Sequence, residues 1–482
     1  MDLQSLYFRL PMLAQEWALS WYARRLDTLY YGDNFPHWIA HYRETERWPA
    51  EQLRNAQLMG LRYVLYNAFR HVPWFHSLAI LSGLRESQFE TLADLRKLPI
   101  QEKDPIRCQP WEFVRDDYPR KRLWLEKTSG TTGTSLRIYW PQEMLPRWWA
   151  LQELRVRNWA GVGQRMPRAM VGGRPVVPGN TSHPPYWRYN RRWRQLYLSS
   201  YHIAPGTAGA YIHALQRYGS QWITGYGSAI ALLGEYLVDH PTELCIRAAV
   251  TSGDTVTSRQ RQAIEAGFKC RMFDNYGSAE ACCLITECEH GRMHLSPEAG
   301  ILEILDEDGE PCPPGVDGEF ICTGLLNDVM PLIRYRTGDY GCWAEEQQCP
   351  CGRQMPIIAH ITGRTDDYLE LADGRRVGRL STAMKKAPSV KQAQLAQDSP
   401  AHAWLLVVPD TGYHDADGER LVEDVLSRIG GKAIHIDVRT VREIPPTSTG
   451  KRLLVRRLIG DNALLEQYQA LIRQGGEKGV PV

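Results

Sequence analysis

Much of what would classify this chain quickly is missing from it. No apolar run approaches the length of about 20 residues that a membrane-spanning helix needs. The N-terminal stretch MDLQSLYFRLPMLAQEWALSWYARR comes nearest, but Asp2, Arg9 and Glu16 interrupt it. It lacks a basic start, an uninterrupted apolar segment and a small-residue cleavage site, so we do not read it as a signal peptide. A short amphipathic helix packed on the body is the expectation, ahead of a membrane-surface anchor. Net charge is only +2, which argues against a dedicated nucleic-acid binder. The eleven cysteines are odd in number, and Cys282 and Cys283 are adjacent. In so long a chain this does not read as a disulfide framework, and a reducing cytoplasm is the expected home. There is no internal repeat, no low-complexity tract and no GK[ST] phosphate loop.

One absence is local. Between Glu153 and Glu235 there is no Asp or Glu, yet ten arginines occur: 155, 157, 165, 168, 174, 188, 191, 192, 194 and 217. A solvated basic face is the ordinary reading of such a run. A local positive field able to receive ATP, pyrophosphate or a phosphorylated acceptor is held slightly ahead of it. The interleaved Trp and Tyr of YWRYNRRWRQLYLSSYH would also suit RNA, a reading kept well behind both.

What is present has the length and patterning of a multidomain α/β protein: 482 residues exceed one ordinary core. Residues 1–125 show helical spacing, as in LRNAQLMGLRYVLYNAF, between proline-containing turns. Across 126–362, short β-type runs (LRIYW, AAVTSGD, GEFICTG) alternate with helical stretches such as IALLGEYLVDH and SRQRQAIEAG, as layered α/β folds require. Residues 363–482 read as a smaller α/β unit with strands at AWLLVVP and IHIDVRTV.

The chemistry lies in short motifs. Thr128-Ser129-Gly130-Thr131-Thr132-Gly133-Thr134-Ser135 sits between two β-type runs. Its glycines let backbone N–H groups converge on an anion, and its hydroxyls add donors without bulk. By itself such a run is as readily a hairpin turn. Downstream follow Ser252-Gly253-Asp254, Tyr276-Gly277-Ser278-Ala279-Glu280, Arg334-Tyr335-Arg336-Thr337-Gly338-Asp339, Gly363-Arg364-Thr365-Asp366-Asp367 and Pro446-Thr447-Ser448-Thr449-Gly450-Lys451.

In order and spacing these motifs resemble the core motifs of the adenylate-forming superfamily of acyl-CoA synthetases, peptide-synthetase adenylation domains and luciferases. The nearest likeness is to the phenylacetate–CoA ligase branch with its CapK-type relatives, over roughly residues 60–460. The resemblance implies a large N-terminal domain of layered sheets and helices (1–125 helical, 126–362 the nucleotide- and acyl-binding core) and a small mobile C-terminal domain (363–482). It implies activation of a carboxylic acid by ATP to an acyl-adenylate, then transfer to a thiol, coenzyme A first. A carrier-protein thiol, an amine on a sugar or amino acid, and a non-catalytic nucleotide-binding relative stay open as alternatives. It assigns the phosphates to Ser129, Gly130, Thr131, Thr132 and Gly133, and Mg²⁺ to Glu280. Gly253, Tyr276 and Gly277 fall to the adenine or acyl group, and Asp339 with Arg364 beside it to the ribose. It assigns the hinge to Asp367 and the mobile catalytic lysine to Lys451. Thr134 departs from the pattern, because many members carry lysine there.

A metal site is a further expectation. Cys288 and His294 in ECEHGRMHL, with His290 as a competing imidazole, precede Cys349 and Cys351 of CPCG. Four soft or borderline ligands in two short clusters suit structural zinc, set against reduced cysteines buried as small hydrophobes.

Overall fold

Aromatic-rich helices open the chain: α1 (Leu3–Arg9), α2 (Met12–Tyr31), α3 (Phe35–Thr45), α4 (Ala50–His71), α5 (Pro73–Ser82) and α6 (Lys103–Cys108). Proline enters the first turn of α3 and α5, where its missing N–H is no loss. Gly83 ends α5 in the left-handed region, with φ 69°. In α4 the buried residues Leu53, Leu61, Val64, Leu65 and Ala68 recur at helical spacing. From Leu61 onward they pack with Phe75, Phe89 and Leu95 into one cluster. The computed structural model describes residues 3–127, 136–178, 181–364, 369–372, 376–377, 389–429, 434–445 and 453–475. They divide into two compact units, 1–253 with 261–361 and 254–260 with 362–482.

In the first unit β1 (Leu123–Lys127) and β2 (Arg137–Pro141) pair antiparallel, with Lys127 opposite Arg137. Helix α7 (Met144–Leu151) then widens into a π-helical turn over Gln152–Arg157. The main sheet follows, built from β3 (Arg168–Gly172), β4 (Trp187–Asn190), β5 (Gln195–Ser199), β6 (Trp222–Gly225), β7 (Ala248–Ser252), β8 (Arg271–Gly277), β9 (Leu284–Glu287), β10 (Met293–Leu295), β11 (Gly300–Leu305), β12 (Gly318–Gly324), β13 (Tyr335–Trp343) and β14 (Ile357–Arg364). Its order is β11-β12-β13-β14-β10-β9-β8-β7-β6-β3-β5-β4. The block β8-β7-β6-β3-β5 is parallel, and its crossovers carry α8 (Pro205–Arg217), α9 (Gly227–Asp239) and α10 (Ser258–Phe268). Such strands are buried on both faces, which explains the near-continuous apolar run AAV of β7.

The second unit has the hairpin β15 (Leu369–Glu370) and β16 (Arg376–Val377), then β17 (Val390–Ser399), β18 (His402–Pro409), α11 (Asp415–Ile429), β19 (His435–Thr440), β20 (Val455–Arg457) and α12 (Asn462–Gly475). Its four-stranded sheet runs β19-β18-β17-β20. Side chains alternate across it: Leu395, Leu405 and Val407 pack with Leu421 and Val425 of α11, whereas Ala396, Leu406 and Val408 pack with Tyr468 of α12.

The arginine-rich stretch corrects one expectation. Arg155, Arg157, Arg168 and Arg188 are buried rather than contributing to an open basic surface. Arg155 reaches Glu46 at 2.9 Å and Glu298 at 2.7 Å, so acids distant in sequence neutralise it and pin α3 to the body. Arg157 pairs with Glu153 at 2.8 Å. Arg155 is thus neutralised by acids that its own stretch of sequence lacks.

Candidate functional site

Loops leaving the carboxyl ends of a parallel sheet form the usual binding crevice of α/β folds. Here two glycines shape that rim. Gly225 ends β6 at φ 127°, and a Cβ there would lie 1.6 Å from the Val171 carbonyl oxygen of β3. Gly253 follows β7 at φ 84°, with the Tyr226 ring 3.2 Å from where a Cβ would stand. Backbone rather than side chain therefore lines this part of the rim.

Strand β8 ends in Tyr276 and Gly277. The Tyr276 hydroxyl donates to Asp339 Oδ2 at 2.6 Å, and its ring meets Phe320 edge-on with centroids 5.9 Å apart. Burial, and then the charge of Asp339, holds the tyrosine pKa well above its ordinary value, so it stays a donor to the carboxylate. Asp339 is buried in β13, and its N–H donates to Thr337 Oγ1 at 3.1 Å. β14, β10 and β9 lie between β13 and β8 in the sheet order, so the Tyr276–Asp339 contact requires the sheet to curl back on itself.

Glu280 lies in the turn from β8 to β9. Trp140 of β2 braces that turn through an indole N–H to the Ala279 carbonyl oxygen at 3.1 Å. Ala281 next to it adopts φ 49°, a left-handed conformation costing a non-glycine residue about 1 kcal/mol or more. Glu280 is only 7% exposed. Its Oε1 accepts from the Tyr335 hydroxyl at 3.1 Å, while its Oε2 is buried with no hydrogen-bond partner among the described residues. Leaving a buried acceptor unmatched costs roughly 1–3 kcal/mol, more for a charged group. A hard oxygen held dry and unpaired matches what a divalent cation such as Mg²⁺ takes as a ligand.

The structure thus joins Tyr276 to Asp339, and Glu280 to Tyr335 of the same strand as Asp339, with Gly253 on the neighbouring strand end and Gly277 beside Tyr276. Arg364 closes β14. Ser129, Gly130, Thr131, Thr132, Gly133 and Thr134 lie outside the described residues, as do Asp367 and Lys451. Two residues given no role in the sequence take part. Tyr335 sat inside a recognised motif, whereas Trp140 carried no signal beyond being an aromatic in a β-type run.

A second cluster hangs from β9, β10 and the loop before β14. The ligand atoms of Cys288, His294, Cys349 and Cys351 all lie within 4.8 Å of one another. Cys288 Sγ is 3.7 Å from Cys349 Sγ, and Cys351 Sγ is 3.5 Å from His294 Nε2. His294 Nδ1 faces the Met355 carbonyl oxygen at 3.3 Å, which orients the ring, and burial lowers its pKa to about 4. The competing His290 contributes its backbone N–H to Cys288 Sγ at 3.4 Å, and its ring stands apart from the group. Gly352 takes φ 76° and donates to the Cys349 carbonyl oxygen at 3.0 Å, tightening the CPCG turn. Arg353 lies over Trp159 at 4.2 Å and bonds Glu46 at 2.7 Å, the carboxylate that also binds Arg155.

Comparison with known proteins agrees with this architecture. The model of the CapK C-terminal domain matches residues 369–457. Protein CapK of Staphylococcus aureus is 27% identical over 397 residues, covering 80% of this chain and 85% of its own. A phenylacetate-coenzyme A ligase of Thermus thermophilus is 26% identical, covering 68% of this chain and 73% of its own. Among solved structures, 2-hydroxyisobutyryl-CoA ligase in its postadenylation state superposes with a TM-score of 0.66 at 19% identity, over 90% of this chain and 94% of that one. Its fold is the one that such adenylate-forming ligases share. In sequence the chain is similar to the phenylacetate–CoA ligases and CapK-like proteins, and it carries a match to the CapK C-terminal domain.

Proposed function

We propose that the chain activates a carboxylic acid with ATP, releases pyrophosphate, and passes the acyl group of the resulting adenylate to a thiol, coenzyme A being the acceptor. The observation that carries this reading is Glu280, buried with one carboxylate oxygen unmatched, beside the Tyr276–Asp339 pair. Phenylacetate–CoA ligases among the relatives and an acyl-AMP in a structure of the same fold support it.

The chemistry required is charge neutralisation. A carboxylate oxygen attacks the α-phosphorus while the bond to pyrophosphate breaks, so anions must be brought together. Fixed cations in a water-poor cleft do this best. Mg²⁺ bound through Glu280 would supply one such charge at the phosphates. Asp339, fixed by Tyr276 and its own backbone, would accept the ribose hydroxyls, a role the resemblance shares with Arg364. Gly253 and Gly277 would let the backbone approach the flat base or acyl group. Ser129 to Gly133 would hold the outer phosphates, Asp367 would serve as hinge, and Lys451 would be the second cation. The thiol then attacks the acyl carbon, and AMP leaves with the oxygen that bridged it.

We further infer that Cys288, His294, Cys349 and Cys351 hold a structural zinc. Tetrahedral Zn–S bonds of about 2.3 Å and a Zn–N bond of about 2.05 Å give an S–S edge of about 3.75 Å and an S–N edge of about 3.55 Å. The observed edges are 3.7 and 3.5 Å. Four protein ligands leave no open position, so the metal would be structural rather than catalytic.

The test is ATP–pyrophosphate exchange with a panel of carboxylic acids, repeated on Lys451→Ala and Glu280→Ala. At least one acid should support exchange, and both variants should lose it. No exchange with any acid would remove the catalytic reading. Release of AMP that does not require coenzyme A would move the acceptor to another nucleophile.

A further inference from the structure

The first half of helix α2 is amphipathic in an inverted sense. Its body-facing side carries Gln15, Glu16 and Ser20 there, before Ala23, Leu26 and Tyr30 bury apolar side chains further along. Arg188 Nε donates to Gln15 Oε1 at 2.6 Å, and the backbone N–H groups of Tyr189 and Arg191 donate to Glu16 Oε1 and Ser20 Oγ, both at 3.0 Å. β4 is the edge of the main sheet, and these alternate N–H groups are the ones an unpaired edge leaves open. The helix closes that edge with side-chain acceptors. On the opposite side Leu13, Trp17 and Trp21 follow one another at four-residue spacing, 68%, 70% and 61% exposed. Leu6 and Leu10 precede them, also exposed, and Arg24 continues the row. Charged residues normally occupy the outward face of a surface helix, so packing within this chain leaves the row unexplained.

The row leads to a basic cavity. Leu13 and Tyr31 are about five turns apart and share one line along the helix. Tyr31 lines a cavity of about 390 Å³ together with Asp27, Arg165, Arg168, Arg192, Trp193 and Arg194. Arg192 pairs with Asp27, but no ion pair engages Arg165, Arg168 or Arg194 among the described residues. Arg168 is 6% exposed, and its Nη1 donates to the Gln164 carbonyl oxygen at 2.7 Å. Burial, and then the neighbouring Arg157, bring its pKa down to about 10. Arg168 and Gln195 begin β3 and β5, so the cavity lies at the amino ends of these strands, away from the carboxyl-end site of Tyr276 and Glu280.

We propose that this face seats the protein on an anionic bilayer, with Leu13, Trp17 and Trp21 entering the interfacial layer and the arginine cavity receiving lipid phosphate. Tryptophan and leucine flanked by arginine is the pattern of helices that lie in the headgroup boundary. Charge selects this occupant over a second copy of the chain. A twofold contact here would set the exposed Arg9, Arg24, Arg25, Arg165 and Arg194 against the same residues of its mate.

The test is flotation of the full chain with phosphatidylcholine vesicles, with and without phosphatidylglycerol, alongside light scattering of the free protein. The protein should partition onto the phosphatidylglycerol vesicles and should not float with phosphatidylcholine alone. Trp17→Ser with Trp21→Ser should weaken partitioning by about tenfold or more. Arg165→Gln and Arg194→Gln should each weaken it about fivefold. Inorganic phosphate should displace the protein no better than chloride at equal ionic strength. The tryptophan variants touch only exposed side chains, so unchanged ATP–pyrophosphate exchange checks their folding. Equal flotation with both vesicle types, or variants that float like the parent, would overturn the proposal. So would displacement by phosphate at matched ionic strength, which would make the cavity a free-anion site, or a dimer that the tryptophan variants dissolve.

Discussion

Glu280 and the Cys288–His294–Cys349–Cys351 group hang from neighbouring turns of one sheet, yet they differ in what they leave unsatisfied. In the first, Tyr335 engages one carboxylate oxygen, the other is buried without a partner among the described residues, and Ala281 holds a left-handed conformation beside it. In the second, four ligand atoms lie within 4.8 Å of one another, His294 is oriented by the Met355 carbonyl, and Arg353 bonds Glu46 and Glu289 around the loop. An arrangement with an unmet valence and local strain is suited to take a ligand transiently. One whose ligands and outer shell are complete is suited to hold an ion permanently and serve the fold. The two clusters should therefore answer differently to perturbation: the first in rate, the second in stability.

Loss of the second cluster should give the largest effect. Cys288→Ser or Cys349→Ser should drop bound zinc from one per chain to a small fraction and destabilise the protein by about 3 kcal/mol or more, read by metal analysis and thermal melting. Zinc content near zero in the parent protein, or unchanged in Cys349→Ser, would break the comparison at this end. Glu280→Gln should act in the opposite way, slowing pyrophosphate exchange by about a hundredfold or more, which is roughly 3 kcal/mol of transition-state stabilisation. Its melting temperature should stay the same or rise, since a buried, half-matched charge has been removed. Asp339→Asn should raise KM for ATP about tenfold with a smaller change in kcat, because its hydrogen bonds are charge-assisted in the bound state. Tyr335→Phe removes only one hydrogen bond to Glu280 and should cost about fivefold in exchange. A Tyr335→Phe variant as impaired as Glu280→Gln would mean that orientation, not the carboxylate's charge, is what the site needs.

The sequence made parts of this legible and hid others, for physical reasons. Alternation of apolar runs with turn residues located β7, β12, β18 and β19, because strand period and burial are local properties. The Cys/His spacing pointed to a cluster because metal ligands within a few residues of each other share a turn. The Tyr276–Asp339 contact could not be read from spacing, since it depends on how a long sheet curls. Trp140 bracing Ala279 was hidden for the same reason. The neutralisation of Arg155 was hidden because Glu46 and Glu298 arrive from other elements. An amphipathic N-terminal helix was legible, but only the placement of Glu16 and Ser20 against β4 showed that Leu13, Trp17 and Trp21 face outward.

The central claim is that the carboxylate of the substrate acid attacks the α-phosphate of ATP. With an acid that supports exchange, labelled with oxygen-18 in its carboxyl group, and with coenzyme A present, mass spectrometry of the released AMP reads this directly. One labelled oxygen per AMP is the predicted result, since the bridging oxygen leaves with AMP when the thiol takes the acyl group. Unlabelled AMP, or ADP in its place, would contradict the account.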